Sequence, residues 1–163
     1  MKKVLLATML FVGIAVSGFA QKGSNFSIGL EAGLPIGSTS DFYSFVIGGS
    51  LKYEAPIATG TNFTVSAGYS SFQGKTVAPF GKIAAVGFIP VKAGIKHFFA
   101  DAFYGEAQLG AAFSTQSGGG TAFAYSPGIG YKFSDVLDLG VRYEAWSKNG
   151  TTSQIGARLG FSF

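Results

Sequence analysis

The strongest constraint on this chain is a two-residue hydrophobic period that recurs in eight segments and runs to the last residue. The final segment, 154–163, reads QIGARLGFSF. Ile155, Ala157, Leu159, Phe161 and Phe163 occupy alternate positions, with Gln154, Gly156, Arg158, Gly160 and Ser162 between them. Successive strand side chains point to opposite faces, so this is a β-strand with one apolar face and one polar or tiny face. The other alternating segments are 26–36, 45–53, 63–69, 89–97, 103–113, 123–133 and 138–146. Beyond the first twenty residues no segment carries a helical period. The expectation is an all-β fold.

Those first twenty residues have a different composition. Lys2 and Lys3 precede an apolar run over 4–16, and Ser17, Gly18, Phe19 and Ala20 lead into Gln21. A basic start, a short apolar core and small residues before a cleavage point describe a secretory signal peptide over 1–20, leaving 21–163 as a single domain. The apolar run falls short of the ~20 residues a membrane-spanning helix needs.

Alternation does not say which face is inside. A soluble lipocalin-like barrel points its apolar residues inward, and a transmembrane barrel points them outward. Side-chain size and charge decide between them. Charged residues make up 12% of the chain, against roughly a quarter in ordinary soluble domains. The polar faces are mostly Gly and Ser with scattered charges of both signs, which suits a cramped interior and makes a poor water-facing surface. The apolar faces are broad and nearly free of charge, as a lipid-facing wall must be when a charge at mid-membrane costs ~2–4 kcal/mol. The prediction is an eight-stranded antiparallel transmembrane β-barrel in an up-and-down meander.

The connections fit that plan. Links 55–62, 98–102 and 134–136 are short, whereas 37–41, 71–87, 114–121 and 147–152 form a second set, 71–87 being the longest. An even strand number puts both termini on one side, the periplasm, and the second set outside. A closed barrel has no edge strand to tolerate proline; Pro35, Pro90 and Pro127 are accordingly expected near the outer rim, Pro56 in a turn and Pro79 in a loop. Aromatics are expected in two girdles. One holds Phe26, Tyr53, Phe63, Phe103, Tyr131, Phe133, Phe161 and Phe163, the other Phe45, Tyr69, Phe88, Phe113, Phe123, Tyr125 and Tyr143.

Little in the chain points to chemistry. There is no cysteine, and the single histidine, His97, falls on the outward set at the periplasmic end of its strand. It has neither a second histidine nor a cysteine to share a metal ion, and catalysis would need a nucleophile beside it. No catalytic, cofactor or metal site is expected. Gly128-Ile129-Gly130 lies inside a strand with no helix after it, so it marks close packing and not a phosphate loop. No basic cluster interleaved with aromatics suggests nucleic acid, and the formal charge of +4 falls to +2 once Lys2 and Lys3 leave. The polar faces do collect charges at inward positions: Glu31, Lys92, Lys96, Glu106, Arg142, Glu144 and Arg158. Glu31 and Arg158 lie mid-strand on the first and last strands, which must be neighbours if the barrel closes. A Glu31–Arg158–Arg142–Glu144 network plugging the lumen is therefore expected, with Lys92, Lys96 and Glu106 on the far wall. Loop 71–87, with Phe72, Val77, Phe80 and Ile83 beside Lys75 and Lys82, reads as an extended hairpin offering a contact surface for a host or surface ligand.

The eight segments, the leader, the stretch PGIGYKFSDVLDLGVRYEAW over 127–146 and the terminal Phe163 together resemble the small outer-membrane β-barrel domain proteins of Gram-negative bacteria. That group is similar to OmpX and to the transmembrane domain of OmpA. The resemblance implies an outer-membrane location amid lipid and lipopolysaccharide. It also implies periplasmic chaperones in biogenesis, with insertion by the barrel-assembly machinery, for which Phe161 and Phe163 on the final strand form the signal. It further implies roles in envelope integrity, adhesion or defence. With no stretch after the barrel, peptidoglycan binding is not carried over. The leading expectation is a non-enzymatic interaction protein; a small channel for solutes or hydrophobic molecules is the alternative, and a lipid A-modifying enzyme a distant third. Eight strands weigh against a wide pore, because side chains fill such an interior.

Overall fold

The structure, a computed structural model, describes residues 23–79 and 81–163, so the expected signal peptide over 1–20 lies outside the described residues. The elements in chain order are β1 (Asn25–Ile36), α1 (Thr39–Phe42), β2 (Tyr43–Ala58), β3 (Thr61–Gly74), β4 (Thr76–Val77), β5 (Gly81–Lys82), β6 (Val86–Phe98), β7 (Phe103–Ser114), β8 (Thr121–Lys132), β9 (Leu137–Ser147) and β10 (Thr151–Ser162). Eight of the strands close into one antiparallel barrel in the order β1-β10-β9-β8-β7-β6-β3-β2, and β4 and β5 form a separate two-stranded ribbon. Each barrel strand pairs with its neighbour in the meander, and the seam is β1 on β10, running from Ser27 opposite Ser162 to Ile36 opposite Ser153. Both ends of the described barrel lie at one rim, called here the terminal rim; the longer connections lie at the other, the loop rim.

The face assignment is decided by exposure. Leu30, Leu34 and Ile129 are 64%, 65% and 67% exposed, and Ile28, Ile47, Leu51, Leu109, Leu139 and Ile155 also lie open on the outside. Ser27, Lys52, Thr64, Lys92, Glu144 and Arg158 are buried inside. Every Asp, Glu, Lys and Arg on the eight barrel strands occupies an inward position. A continuous apolar wall of this size is stable only against hydrocarbon. Among the described residues no helix is long and apolar enough to cross a membrane.

Several sequence-based expectations need correction. The strands overrun the alternating windows, β3 reaching Gly74 and β2 reaching Ala58, because ladder pairing continues past the point where the hydrophobic pattern stops. Pro56 therefore lies in β2, at a register irregularity between Pro56 and Ala58, and the turn is only Thr59-Gly60. Gly60 has φ +66° there, a backbone state that suits glycine. Pro127 lies mid-strand, not near a rim, and the β8–β9 pairing skips from Tyr125–Ala145 to Gly128–Arg142 around it. A missing N–H leaves that gap in the ladder. The helical turn α1 in the first loop was not expected. Phe88 was assigned to the outer girdle but shares the parity of Lys92 and faces the lumen, where its ring packs 4.6 Å from that of Trp146.

The remaining girdle aromatics named for their exposure do point outward. Phe45, Tyr69, Phe113 and Phe123 ring the loop end. Phe63, Phe103, Tyr131, Phe133, Phe161 and Phe163 ring the terminal end. Rings at that level match the amphipathic boundary of a membrane.

Candidate functional site

The lumen is the one place where chemistry-bearing side chains converge among the described residues. Its top layer, at the loop rim, is apolar. Tyr43 and Val46 from β2, Phe72 from β3, Phe88 from β6 and Trp146 from β9 pack against Ala112 on β7 and Ala122 and Ala124 on β8. Large rings from one wall meet alanines on the other, which is how a narrow barrel fills its bore. Phe72 lies edge-on to Trp146 at 5.2 Å and to Tyr43 at 5.6 Å.

Below this cap lies the first charged layer. Glu144 is buried and accepts a hydrogen bond from Lys92. It also accepts from Arg142 Nε at 3.2 Å and from Gln154 Nε2 at 3.3 Å. Arg142 Nη2 reaches across to Glu31 Oε2 at 2.7 Å. Arg158 was expected to pair directly with Glu31, yet its nearest approach to that carboxylate is 3.9 Å. Ser50 stands between them, donating to Glu31 at 2.5 Å and accepting from Arg158 Nε at 3.0 Å. The Arg158 head continues downward, its Nη2 bonding Ser27 Oγ at 3.0 Å. Gly29 makes this path possible, because a Cβ there would collide with the guanidinium.

The next layer is built round Lys52. Its ammonium lies 3.0 Å from Glu54 and 3.1 Å from Glu106, and Lys96 contacts the same Glu54 oxygen at 3.0 Å. Gln108 bridges Glu106 to Thr64, both contacts at 3.2 Å. At the base, Tyr104 donates to Asp138 at 2.8 Å, and the Lys96 ammonium stands 4.0 Å over the Tyr104 ring. Gly130 makes room for that ring, since any Cβ there would run into it.

Between the rims the lumen thus holds five cations, Lys52, Lys92, Lys96, Arg142 and Arg158, against five anions, Glu31, Glu54, Glu106, Asp138 and Glu144; a sixth inward cation, Lys132 at the end of β8, pairs with Asp135 in the following turn. Two cavities between the layers measure about 20 and about 10 Å³, room for roughly one water at most in each. A larger one, about 140 Å³, lies at the base beside Lys96 and Phe98. Of the residues singled out from sequence, Glu31, Lys92, Arg142 and Glu144 meet in one cluster, while Lys96 and Glu106 join through Lys52 and Glu54. Lys52, Tyr104 and Asp138 carried the parity signal; Glu54 lies one residue beyond the alternating window and carried none.

Outside the lumen there is little to act on a substrate. His97 faces outward at the terminal rim, with Nδ1 2.8 Å from Thr61 Oγ1, and its ring makes no further hydrogen bond among the described residues. No group of residues suited to a metal ion occurs among them. In the β8–β9 turn Lys132 donates to Asp135 at 2.7 Å, and that hydrogen bond holds the carboxyl below its ordinary range. Phe163 N donates to Phe26 O at 2.9 Å, extending the β1–β10 ladder, while its ring stays 77% exposed.

No family model matches the chain, and no curated protein matches it closely. Solved structures do. Ail, the attachment invasion locus protein of Yersinia pestis, in complex with the heparin analogue sucrose octasulfate, is 16% identical. The match covers 88% of this chain and 100% of that one at a TM-score of 0.61. The chain has the fold of the small eight-stranded outer-membrane β-barrels. Two further small barrels superpose similarly. The outer membrane enzyme PagL matches at 16% identity over 83% of this chain and 98% of its own, with a TM-score of 0.63. The N-terminal β-barrel domain of Pseudomonas aeruginosa OprF matches at 11% identity over 85% and 97%, with a TM-score of 0.58. One fold here carries an attachment protein and an enzyme, so the fold does not choose the function.

Proposed function

We propose that this barrel is an integral protein of the bacterial outer membrane, neither an enzyme nor an open pore, that serves envelope integrity and surface interaction through its loops. The observation that carries the reading is the lumen, packed with five cations and five anions joined by ion pairs and hydrogen bonds under an aromatic cap, with only water-sized gaps between those layers. A buried charge array of this kind blocks ions sterically and leaves no room for a substrate between its layers. The loops are then the part available for recognition. Their described charges are Lys75, Lys82 and Lys148 against the single Asp41, a basic surface suited to anionic partners. Ail's complex with a sulfated sugar analogue gives the same chemistry in a barrel of this fold.

In this reading the termini face the periplasm and the loop rim faces outward. The barrel-assembly machinery and periplasmic chaperones deliver the chain, with Phe161 and Phe163 as the assembly signal. Purified protein in a planar bilayer should give no sustained conductance, and cells lacking 75–85 should lose surface adhesion while keeping the folded barrel. A steady open channel in the unmodified protein would replace this reading with that of a small conduit.

A further inference from the structure

The outside of the loop rim carries a groove that the lumen reading does not use. Phe45, on the outward face of β2, pairs across the ladder with Gln73 at the end of β3. Beyond Gly74 the chain forms the β4–β5 ribbon and returns, Ile83 N donating to Lys75 O at 2.8 Å. The returning backbone passes so close that a Cβ on Gly74 would collide with Ile83. Residues 82–85 are thereby held beside the strand end, opposite Phe45. Between them lies a half-open groove of about 460 Å³, walled by Phe45, Ile83, Ala84 and Ala85 with Gln73 and Lys82 on its lining. This falls within the roughly 300–1,000 Å³ of small-molecule sites. It opens on the same exterior as Tyr69 and the lipid-facing wall, at the level of the outward aromatics.

The cations of the loop rim differ in what they touch. Lys75 donates to Ser40 O at 2.6 Å and Lys148 to Gly119 O at 2.8 Å. Lys82 is exposed and makes no side-chain hydrogen bond or ion pair among the described residues. We infer that the groove docks one phosphorylated acyl lipid of the surrounding leaflet, its chain against Phe45 and 83–85 and its phosphate at the Lys82 ammonium. Apolar walls beside a single uncommitted ammonium fit an amphiphile better than a free anion, which would gain nothing from Phe45. The groove is also too small for a protein partner, which needs about 800 Å² of surface per side. The inference rests on the loop rim lying at a lipid–water boundary, as the proposed function has it. It does not depend on which leaflet is outermost or on the lumen being closed.

The test uses the whole barrel reconstituted in phosphatidylcholine vesicles with a trace of spin-labelled dioleoyl phosphatidate or spin-labelled phosphatidylcholine. The motionally restricted lipid fraction is read by electron spin resonance. The unmodified barrel should hold phosphatidate over phosphatidylcholine by about fivefold, the preference that one surface lysine gives an anionic lipid. Lys82→Gln and the groove-filling Ala84→Trp should each bring that ratio to about one, Lys132→Gln at the opposite rim, whose ammonium is committed to Asp135, should leave it, and millimolar inorganic phosphate should not compete. Urea unfolding confirms that each variant is folded before its ratio is read. No preference in the unmodified barrel, retention in either groove variant, loss in Lys132→Gln, or competition by inorganic phosphate would each overturn the site. Because conductance is measured separately, a leaky lumen with a lipid preference fails only the proposed function. A sealed lumen without the preference fails only the groove.

Discussion

Replacing Glu144 by methionine removes one carboxylate from the most enclosed ion pair of the barrel. The Lys92 side chain is 3% exposed and that of Glu144 1%, so neither end reaches bulk water. Without Glu144, Lys92 keeps only Ser126 Oγ at 3.3 Å, a neutral acceptor. Arg142 is better placed, since Glu31 still accepts from it at 2.7 Å. The penalty therefore concentrates on one uncompensated ammonium. Breaking a buried pair by removing one partner costs about 3–5 kcal/mol, whereas replacing both partners with well-packed apolar groups is often neutral. Glu144→Met should thus destabilise by about that amount, and Lys92→Met with Glu144→Met should recover most of it.

The barrel carries its own reporter, because the chain's one tryptophan, Trp146, sits 3% exposed in the aromatic cap. Urea unfolding from lipid vesicles, followed by the Trp146 emission shift, gives the midpoints. At an m-value of about 2 kcal/mol/M the single substitution should lower the midpoint by about 2 M. A double variant as unstable as Glu144→Met alone would refute the reasoning. The loss would then come from packing and not from a stranded charge.

Other substitutions probe other layers. Phe72→Ala, at a ring 1% exposed in the cap, should cost about 3–5 kcal/mol in the same urea assay, whereas a loss under 1 kcal/mol would mean the cap is not packed. Gly130→Val should drive the Tyr104 ring off its seat and break its bond to Asp138, costing about 1–3 kcal/mol; Gly49→Val on β2, where an added Cβ meets nothing closer than 3.4 Å, gives the comparison for glycine replacement without that collision. Phe163→Gln should reduce the fraction inserted into the outer membrane of cells while moving the midpoint of refolded protein by less than about 0.5 kcal/mol, as for an exposed side chain. Equal insertion of the two proteins in cells would remove Phe163 from the assembly signal.

The alternating segments made the barrel and its strand number legible, because a period of two assigns every residue of a strand to one of two faces. Low charge and the small polar faces then chose which face met lipid. Phe88 shows where a second criterion misleads. Its parity with Lys92 places it inside, but its aromatic character at a strand end suggested the outer girdle. Parity is a geometric necessity of the pleat, while aromatic enrichment at an interface is a tendency, so parity governs when they conflict. Pro56 and Pro127 teach the converse. A proline need not mark a turn or a rim, because a ladder loses a local bond and continues on either side.

What stayed illegible was which charge meets which. Glu31 and Arg158 are directly opposite in the β1–β10 register, and neighbouring strands were the natural basis for pairing them. The strands of a small barrel tilt by roughly 35–45°, however, so groups on one rung do not share one depth and groups at one depth come from different rungs. A long side chain then follows the bore, not the rung. Arg158 runs down past Gly29 to Ser27, leaving Ser50 to join it to Glu31, and Arg142 from β9 reaches over to take the vacated side of that carboxylate. Lys92 and Glu144, on β6 and β9, meet across the lumen in the same way. The pairing is a property of the closed cylinder and its stagger, which no single strand encodes. A substitution that shifts the β1–β10 register by two residues should therefore keep every inward face and still scramble the ion pairs. Such a variant should insert as a barrel yet show weaker urea resistance and measurable ion leakage; full resistance with a sealed lumen would mean that the charges re-pair freely and that the observed network is one of several equivalents.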